Sequence, residues 1–336
     1  MSTSIRKRLA VGMLAIATSL GATSSQAQDK ATTEATNELD GCPSDKILAR
    51  FQEFGRTGKM PPVLGRWLGN PKAQKVEPYQ AFDNVYYVGV CWVSAWIIKT
   101  SAGPVLIDTL HEPFVDLLIE NIRKVGVDPA DIKLVLMTHG HFDHVGGALK
   151  IKALTKAPFV MSQEGWDEAI ADSAASKTGR RPWAFLDGVD TVAKDGQQFT
   201  VGDTTFTAYE TPGHTMGTAS YAFDVRDGDQ TYHAFTVGGL GLNAIKSVAQ
   251  VEAYIASVNR IESMVRSEQS PISVHLTTHP FSTGLTEAAR KIPARRTGEP
   301  HPLVDKSGFL AQLDNLRAGA EKRLVIEREK GKSSAR

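Results

Sequence analysis

The stretch Thr138-His139-Gly140-His141-Phe142-Asp143-His144-Val145-Gly146-Gly147 decides how this chain is interpreted. It directly follows the apolar run 132–137, which is typical of a buried strand that ends in a loop. Three imidazoles and a carboxylate within six positions are ligand types that zinc takes, and no ordinary folding requirement gathers them at a strand end. The stretch therefore predicts a metal site rather than a chance cluster of polar loop residues.

The spacing within this stretch predicts two neighbouring metal positions. His139 and His141 are two residues apart, so in extended backbone their side chains share one face and can bind one ion. Asp143 and His144 follow where the chain turns, and they would point towards a second ion. The two glycines after them allow a tight backbone that leads into a helix. One segment would thus supply two ligands to each of two ions.

Two later segments offer the remaining ligands. His214 lies on a glycine-containing turn, Thr211-Pro212-Gly213-His214-Thr215, after the alternating strand 205–209. His279 follows a short β-like run and precedes a proline that stops the strand. Both positions match the strand-end setting of the first cluster, so we expect both to be ligands. His275 lies on the strand itself, and we expect it to be packed or hydrogen-bonded instead.

With these three segments the chain resembles the metallo-β-lactamase fold superfamily, and within it the subclass B3 metallo-β-lactamases. The likeness also includes residues 105–108 and 301–305, and it covers residues 60–328. It implies an α/β (α+β) fold: an αββα sandwich of two mixed β-sheets flanked by helices, with two Zn²⁺ ions in a groove at one edge.

The resemblance also implies a role for each residue of the site. The first zinc would be bound by His139, His141 and His214, and the second by Asp143, His144 and His279. Asp143 would in addition orient the metal-bound hydroxide. Asp108 would lie behind the ligands and orient a ligand imidazole. The alternative for Asp108 is a cap on the loop after a buried strand.

The resemblance departs from subclass B3 in one segment, residues 236–242. Members typically carry serines there that help to hold the substrate carboxylate, whereas this chain has glycines. The bridging aspartate and the cysteine ligand of other branches are also absent, and the missing aspartate argues against a thioesterase or lactonase. Candidate substrate contacts are Gly239, Asn243, Arg180 and Trp183, with Trp92 as a second possible wall of the groove. The alternatives are a solvated basic loop around Arg180 and buried tryptophans.

The function implied is zinc-dependent hydrolysis of the β-lactam amide bond, which inactivates the antibiotic, by a metal-bound hydroxide in a dinuclear site. No covalent intermediate is needed, so no serine or cysteine nucleophile is assigned. One alternative is a hydrolase of the same fold that acts on another lactone, ester or amide. Another is a zinc-stabilised binding protein, which is disfavoured because structural zinc sites are more often closed and cysteine-rich. Ligand type alone also admits iron or manganese.

Residues 1–27 are typical of a cleaved secretory signal peptide. Arg6-Lys7-Arg8 precedes the apolar stretch 9–20, and Ser25-Gln26-Ala27 has the small residues of a cleavage site. The apolar stretch is too short for a lasting membrane anchor. We therefore expect a periplasmic protein with a single domain over residues 28–336, comprising an N-terminal extension, a core over 60–328 and a charged tail from Glu329.

The charge balance of the chain indicates which classes of partner it can bind. The whole chain has 38 basic and 37 acidic residues, and loss of the signal peptide with its three basic residues leaves 35 and 37. Such a balance predicts no nucleic-acid or membrane partner, and we expect a monomer that acts on a small molecule.

Cys42 and Cys91 form an even pair, which in an exported protein predicts a disulfide. The alternative is a buried free Cys91 and an exposed Cys42.

Hydrophobic periodicity predicts alternating strands and helices. Strands are expected at 85–88, 95–98, 104–107, 220–223 and 233–236, and helices at 114–125, 147–154, 165–175, 248–266 and 307–328. Strands with helices on both flanks suit a two-sheet core.

Overall fold

The computed structural model describes residues 38–179, 181–296 and 298–334. The predicted signal peptide, residues 1–27, and the candidate substrate contact Arg180 lie outside these ranges. Within them the chain forms twelve strands: β1 Tyr79–Phe82, β2 Val85–Tyr87, β3 Trp96–Thr100, β4 Gly103–Ile107, β5 Leu134–Leu136, β6 Phe159–Met161, β7 Thr191–Val192, β8 Gln198–Val201, β9 Thr204–Glu210, β10 Ala219–Asp227, β11 Gln230–Thr236 and β12 Ile272–His275.

The same ranges contain ten α-helices and three short 3-10 helices. The α-helices are α1 Ser44–Thr57, α2 Pro62–Trp67, α3 Pro71–Gln74, α4 Val115–Lys124, α5 Phe142–Val145, α6 Ala148–Lys152, α7 Gln163–Ser176, α8 Val248–Arg266, α9 Leu285–Ala289 and α10 Lys306–Ser334. The 3-10 helices are Pro129–Asp131, Pro280–Ser282 and Ile292–Ala294.

The strands form two mixed sheets. The larger has the order β1-β2-β3-β4-β5-β6-β7, with antiparallel pairs from β1 to β4 and parallel pairs from β4 to β7. The smaller has the order β12-β11-β10-β9-β8, and only its β11–β12 pair is parallel. Parallel neighbours need crossover connections. Helices α4, α5 with α6, α7 and α8 lie within those connections.

Three buried clusters give the fold four layers. Trp96 and Ile107 of the larger sheet and Tyr221 of the smaller belong to the cluster between the sheets. The outer face of the larger sheet is covered by α4, α6 and α7, and that of the smaller sheet by α8 and α10. Alternation along β11 shows why both faces are buried, since Ala234 belongs to the inner cluster and Phe235 to the outer one. The predicted αββα order of layers is confirmed.

The segment before the larger sheet is part of this packing. Leu39 and Ile47 are fully buried in the cluster that covers the larger sheet. Cys42 and Cys91 are joined by a disulfide, with their Cα atoms 5.3 Å apart, as the sequence predicted. The disulfide therefore ties the start of α1 to the loop between β2 and β3.

The last helix extends beyond its predicted end. A solvated tail was expected from Glu329, but α10 continues to Ser334. Ion pairs from Glu327 to Arg323 and to Lys330, three or four residues away, favour the helical continuation. None of the helices in the part of the chain that the structure describes is long and apolar enough to cross a bilayer.

Candidate metal centre

The carboxyl ends of three strands bring the predicted ligands together. His139 follows β5, His214 follows β9 and His279 follows β12. The main-chain N–H of Ala219 donates to the carbonyl oxygen of Thr138 at 2.8 Å and so joins the two sheets at this point. Residues that are distant in sequence therefore converge at one edge of the sandwich.

The first histidine group consists of His139, His141 and His214. The Nδ1 atom of His141 lies 3.1 Å from Nε2 of His139 and 3.0 Å from Nε2 of His214. The three ligand atoms lie within 4.8 Å of one another. The two-residue spacing therefore places His139 and His141 on one side, and the later turn adds His214.

The second group consists of Asp143, His144 and His279. The Nε2 atoms of the two histidines are 3.3 Å apart. The Oδ2 atom of Asp143 lies 3.5 Å from Nε2 of His144 and 3.9 Å from Nε2 of His279. The rings of His139 and His144 are 4.2 Å apart between centroids, so the two groups are direct neighbours.

Four of the five histidines have an outer ring nitrogen that is hydrogen-bonded to an oxygen atom. The pairs are His139 Nδ1 with Thr138 Oγ1 at 3.2 Å, His144 Nδ1 with Asp108 Oδ2 at 2.8 Å, His214 Nδ1 with the Gly241 carbonyl at 2.5 Å, and His279 Nδ1 with the Trp92 carbonyl at 2.8 Å. Carbonyl and carboxylate oxygens only accept, so the ring nitrogens that face them donate. In a neutral imidazole the inner nitrogen then presents its lone pair to the group.

Asp108 is linked by hydrogen bonds to one histidine in each of the two groups. Its carboxylate accepts from Nδ1 of His144 and also from the main-chain N–H and the hydroxyl of Thr138, both at 2.9 Å. Because the Thr138 hydroxyl gives its proton to Asp108, it accepts from Nδ1 of His139. Asp108 is buried and has a positive φ of 60°, which is uncommon for a non-glycine residue and often marks functional sites.

Burial and neighbouring charges set the protonation of the groups. Burial lowers the pKa of His214 to about 3 and that of His279 to about 4, and it holds the pKa of His139 well below its ordinary value. For His144 burial acts the same way, but Asp143 and Asp108 outweigh it and raise its pKa. Burial also opposes ionisation of Asp143, but His144 and His279 outweigh it and lower its pKa to about 2. Neutral imidazoles and an ionised carboxylate are the forms that bind metals.

The donor sets fit divalent metal ions. The inner Nε2 atoms of His144 and His279 are 3.3 Å apart, and in the neutral rings both present lone pairs, which repel one another; a cation between them removes the repulsion. Imidazole and carboxylate donors suit zinc and similar divalent ions. Two adjacent groups of three donors provide for two ions.

Aromatic residues lie beside the second group, and one of them is Trp92, which the sequence suggested as a wall of the groove. The Trp92 ring is stacked on His279 at 6.4 Å and meets the rings of His111 at 5.2 Å and Phe142 at 6.1 Å edge-on. His111 was missed, although it lies three residues after Asp108 at the same strand end. Burial lowers its pKa to about 4, so it remains neutral. These rings shield one side of the second group from water.

Gly239 lies against His214 and leaves no room for a side chain. A Cβ atom at Gly239 would be 2.6 Å from Cβ and 2.7 Å from Cδ2 of His214, closer than real Cβ contacts. Two residues later, the Gly241 carbonyl accepts the hydrogen bond from the same histidine. The glycine segment therefore supports the first group and offers no side-chain contact to a substrate at position 239.

The other candidate substrate contacts have different surroundings. Asn243 is exposed, and its Oδ1 atom lies next to Gly241. Trp183 is half-buried, its ring lies 6.0 Å from that of Phe185, and it packs on the core under the larger sheet. Within the described residues Trp183 has no ring contact with either histidine group. On the β12 strand, Nδ1 of His275 donates to the amide oxygen of Gln312 at 2.9 Å, as expected for a packed histidine.

The fold is shared with known proteins. Residues 88–227 match the family model described as the Metallo-beta-lactamase superfamily. The native FEZ-1 metallo-beta-lactamase from Legionella gormanii is 26% identical with a TM-score of 0.68, over 76% of this chain and 98% of that chain. BJP-1, a subclass B3 metallo-beta-lactamase of Bradyrhizobium japonicum, is 28% identical with a TM-score of 0.66, over 76% and 97%.

Curated relatives match over shorter stretches. The hydroxyacylglutathione hydrolase of Methylococcus capsulatus is 36% identical over 90 residues, which are 27% of this chain and 28% of that protein. The N-acyl homoserine lactonase AttM of Agrobacterium fabrum is 30% identical over 112 residues, 31% of this chain and 40% of that protein. The chain thus spans less than half the length of these two relatives. Together the matches show that it contains a metallo-β-lactamase superfamily domain.

Proposed function

We propose that this member of the metallo-β-lactamase superfamily is a zinc-dependent hydrolase that opens the amide ring of β-lactams. The observation that carries the proposal is the pair of adjacent donor groups, each with three ligand atoms within 4.8 Å of one another. The choice of β-lactams is supported by the likeness to FEZ-1 and BJP-1, which extends over 98% and 97% of those chains.

Each group would hold one zinc ion. The first ion would be bound by His139, His141 and His214, and the second by Asp143, His144 and His279. When bound, the two ions supply an activated water and polarise the carbonyl that is attacked. The ionised carboxylate of Asp143, a member of the second group, can accept a hydrogen bond from the attacking water and so orient it.

The other residues of the centre fix the ligands. Asp108 and the carbonyl oxygens of Gly241 and Trp92 hold the imidazoles with their inner nitrogens directed into the groups. Both cysteines are bonded to each other, so neither is available as a nucleophile. We infer that the nucleophile is the activated water and that no acyl-enzyme forms.

The substrate carboxylate needs an anchor other than a side chain at position 239. We assign this contact to Asn243, exposed at the end of the glycine segment, and to Arg180. An arginine can bind a carboxylate through two parallel hydrogen bonds. We further place the protein in the periplasm as a monomer, which accords with the leader-like residues 1–27 and with a small-molecule substrate.

A second candidate function is hydrolysis of a lactone or thioester. Gly239 favours it because the chain has no side chain there to hold a β-lactam carboxylate. The two curated relatives, named as a hydroxyacylglutathione hydrolase and an N-acyl homoserine lactonase, are consistent with it.

The test is hydrolysis of a penicillin, a cephalosporin, a carbapenem, an N-acyl homoserine lactone and a glutathione thioester, with and without a chelator. We expect chelator-sensitive turnover of a β-lactam with kcat/KM of about 10⁴ M⁻¹s⁻¹ or more. Turnover of the lactone or thioester alone, by protein with two zinc ions bound, would support the second candidate. No turnover of any of the five would overturn both.

A further inference from the structure

Helix α7 touches both segments that carry the first histidine group. A Cβ atom on Gly140, between the first two histidines, would lie 2.8 Å from the α7 backbone. At the N-cap of α7, the hydroxyl of Ser162 donates to the carbonyl oxygen of Gly217 at 2.6 Å. Gly217 lies in the loop that follows His214. The helix is therefore a common support for all three ligands of the group.

Glu168 is the side chain of α7 that spans the two segments. Its Oε1 atom accepts from the main-chain N–H groups of Met216 at 3.0 Å and Gly217 at 3.4 Å. Its Cβ atom would lie 2.9 Å from a Cβ on Gly140. One carboxylate oxygen of Glu168 thus holds the His214 loop, while its stem packs against the His139–His141 segment.

Among the described residues, none donates to the other carboxylate oxygen of Glu168. Oε2 is buried, and it has no hydrogen-bond partner in the part of the chain that the structure describes. Buried carboxylate oxygens are nearly always hydrogen-bonded, because an unpaired one loses its hydration without compensation. A donor that turns towards Glu168 in the working form of the protein would satisfy it.

His141 is the histidine of the centre whose outer nitrogen has no partner within the described part of the chain. Its Nδ1 atom faces the other two ligands of the first group, so Nε2 is the outer nitrogen. Over residues 38–179, 181–296 and 298–334 no hydrogen bond to this Nε2 is present. A neutral imidazole that binds a metal through Nδ1 carries its proton on Nε2 and needs an acceptor there.

Glu168 lies within electrostatic reach of this ring. Three acidic side chains lie near the ring: Asp143, Glu168 and Asp172. Asp143 belongs to the second donor group, and Asp172 is exposed one turn further along α7. Glu168 is the member of the three with a buried oxygen that lacks a partner.

We propose that Glu168 is a positioning residue of the first metal group: Oε1 holds the His214 loop, and Oε2 accepts the Nε2 proton of His141 when the group binds its ion. The inference rests on the metal centre of the proposed function. It gives His141 the kind of oxygen partner that the other four histidines already have.

The test compares Glu168→Gln with Asp172→Asn in otherwise full-length protein. Glutamine keeps the shape of Glu168, and its oxygen can still accept from the His214 loop, but its amide group cannot accept from His141. The control substitution Asp172→Asn removes a nearby charge and leaves Glu168 intact. Zinc affinities are measured by competition with a chromogenic chelator, and ring N–H signals by NMR of zinc-loaded, ¹⁵N-histidine-labelled protein.

We expect Glu168→Gln to bind one of the two zinc ions about 10-fold more weakly or worse, and Asp172→Asn to bind both within about twofold of wild type. One ring N–H signal, that of His141, should shift or disappear in Glu168→Gln alone. Unchanged affinity and an unchanged His141 signal in Glu168→Gln would overturn the role, as would equal effects of the two variants. Wild-type protein that binds no zinc would overturn the metal centre itself, and with it this inference.

Discussion

The carboxylate of Asp108 lies 2.8 Å from Nδ1 of His144 and reaches His139 through the hydroxyl of Thr138. A single buried acid therefore orients one histidine in each donor group. This link predicts that a change at Asp108 alters the metal affinity of both positions, whereas a change at Thr138 alters that of one position only.

We expect Asp108→Asn to weaken the binding of both zinc ions by about 10- to 100-fold, because one amide oxygen cannot replace all the acceptor contacts of the carboxylate. Thr138→Val should weaken the binding of only the ion that His139 holds. Titration of metal-free protein with zinc measures both affinities. An Asp108→Asn protein that loses one ion and keeps the other at wild-type affinity would contradict the shared role.

Gly239→Ser should damage the first group. The new Cβ atom would overlap His214, so we expect a loss of about 1–3 kcal/mol in the free energy of unfolding and weaker binding of one zinc ion. Gly188→Ser is the matched control, since a Cβ there meets nothing within 4 Å. Denaturant unfolding measures the stability of the variants, and metal analysis measures their zinc content. A Gly239→Ser protein with the same stability and zinc content as Gly188→Ser would refute the contact between position 239 and His214.

His279→Ala should bind one zinc ion fewer and lose most of its activity, because removal of a ligand opens the second group. His233→Ala is the control: this histidine is exposed, pairs with Asp224 and lies away from both groups. Elemental analysis after gel filtration measures the zinc content. Two tightly held zinc ions in His279→Ala would remove that residue from the centre.

The disulfide between Cys42 and Cys91 should matter for both stability and metal binding. Unfolded, unreduced protein should contain no titratable thiols. Closing a loop of 49 residues is worth about 4 kcal/mol in the chain-entropy account, so Cys42→Ser with Cys91→Ser should unfold at lower denaturant. Because Trp92, next to Cys91, holds His279, the double variant should also bind the second ion more weakly. Unchanged zinc affinity in a folded double variant would argue against that coupling.

Acid should weaken the ion pair between Asp227 and Arg295. The guanidinium donates two hydrogen bonds, at 2.7 and 2.8 Å, and lowers the pKa of Asp227. The pair therefore stabilises the fold above the unfolded-state pKa of about 3.9, and this contribution is lost as the pH falls through the lower folded-state pKa.

Asp227→Asn should thus cost up to about 1 kcal/mol at pH 7 in the presence of a chelator, and less at pH values near 3. Asp229→Asn, exposed in the same turn, serves as the control. Urea unfolding at both pH values gives the comparison. A cost for Asp227→Asn that stays constant between them would exclude the ionised pair as its source.

Local sequence pattern predicted the elements that carry the site. The strands near 85–88 and 104–107 and the helix at 248–266 appear within one or two residues of their predicted bounds, since their apolar periodicity and caps are strong. The short strands β1, β6, β7 and β8 and the helices α1 to α3 were not predicted. These strands have two to four residues and helices α2 and α3 have six and four, so tertiary packing decides their conformation. Helix α1 does carry apolar residues at helical spacing, Ile47, Phe51 and Phe54, and this signal was overlooked.

The members of the two donor groups could also be identified from the sequence, because two histidines two residues apart necessarily share a face in extended backbone. The contacts of Glu168 with Met216 and of Trp92 with His279 were not, since they join segments 48 and 187 residues apart. The same holds for Gly239, whose role depends on the side chain of His214 across the turn.

The overlap that a side chain at Gly239 would create has an evolutionary consequence. A mutation to serine at this position would add a hydroxyl for a new substrate contact but displace His214, so selection for an intact donor group would remove it. New substrate contacts would instead arise through the exposed surface around Asn243, where substitutions leave His214 in place. A ligand designed to bind both a metal ion and a side chain at position 239 would find no side chain here to bind.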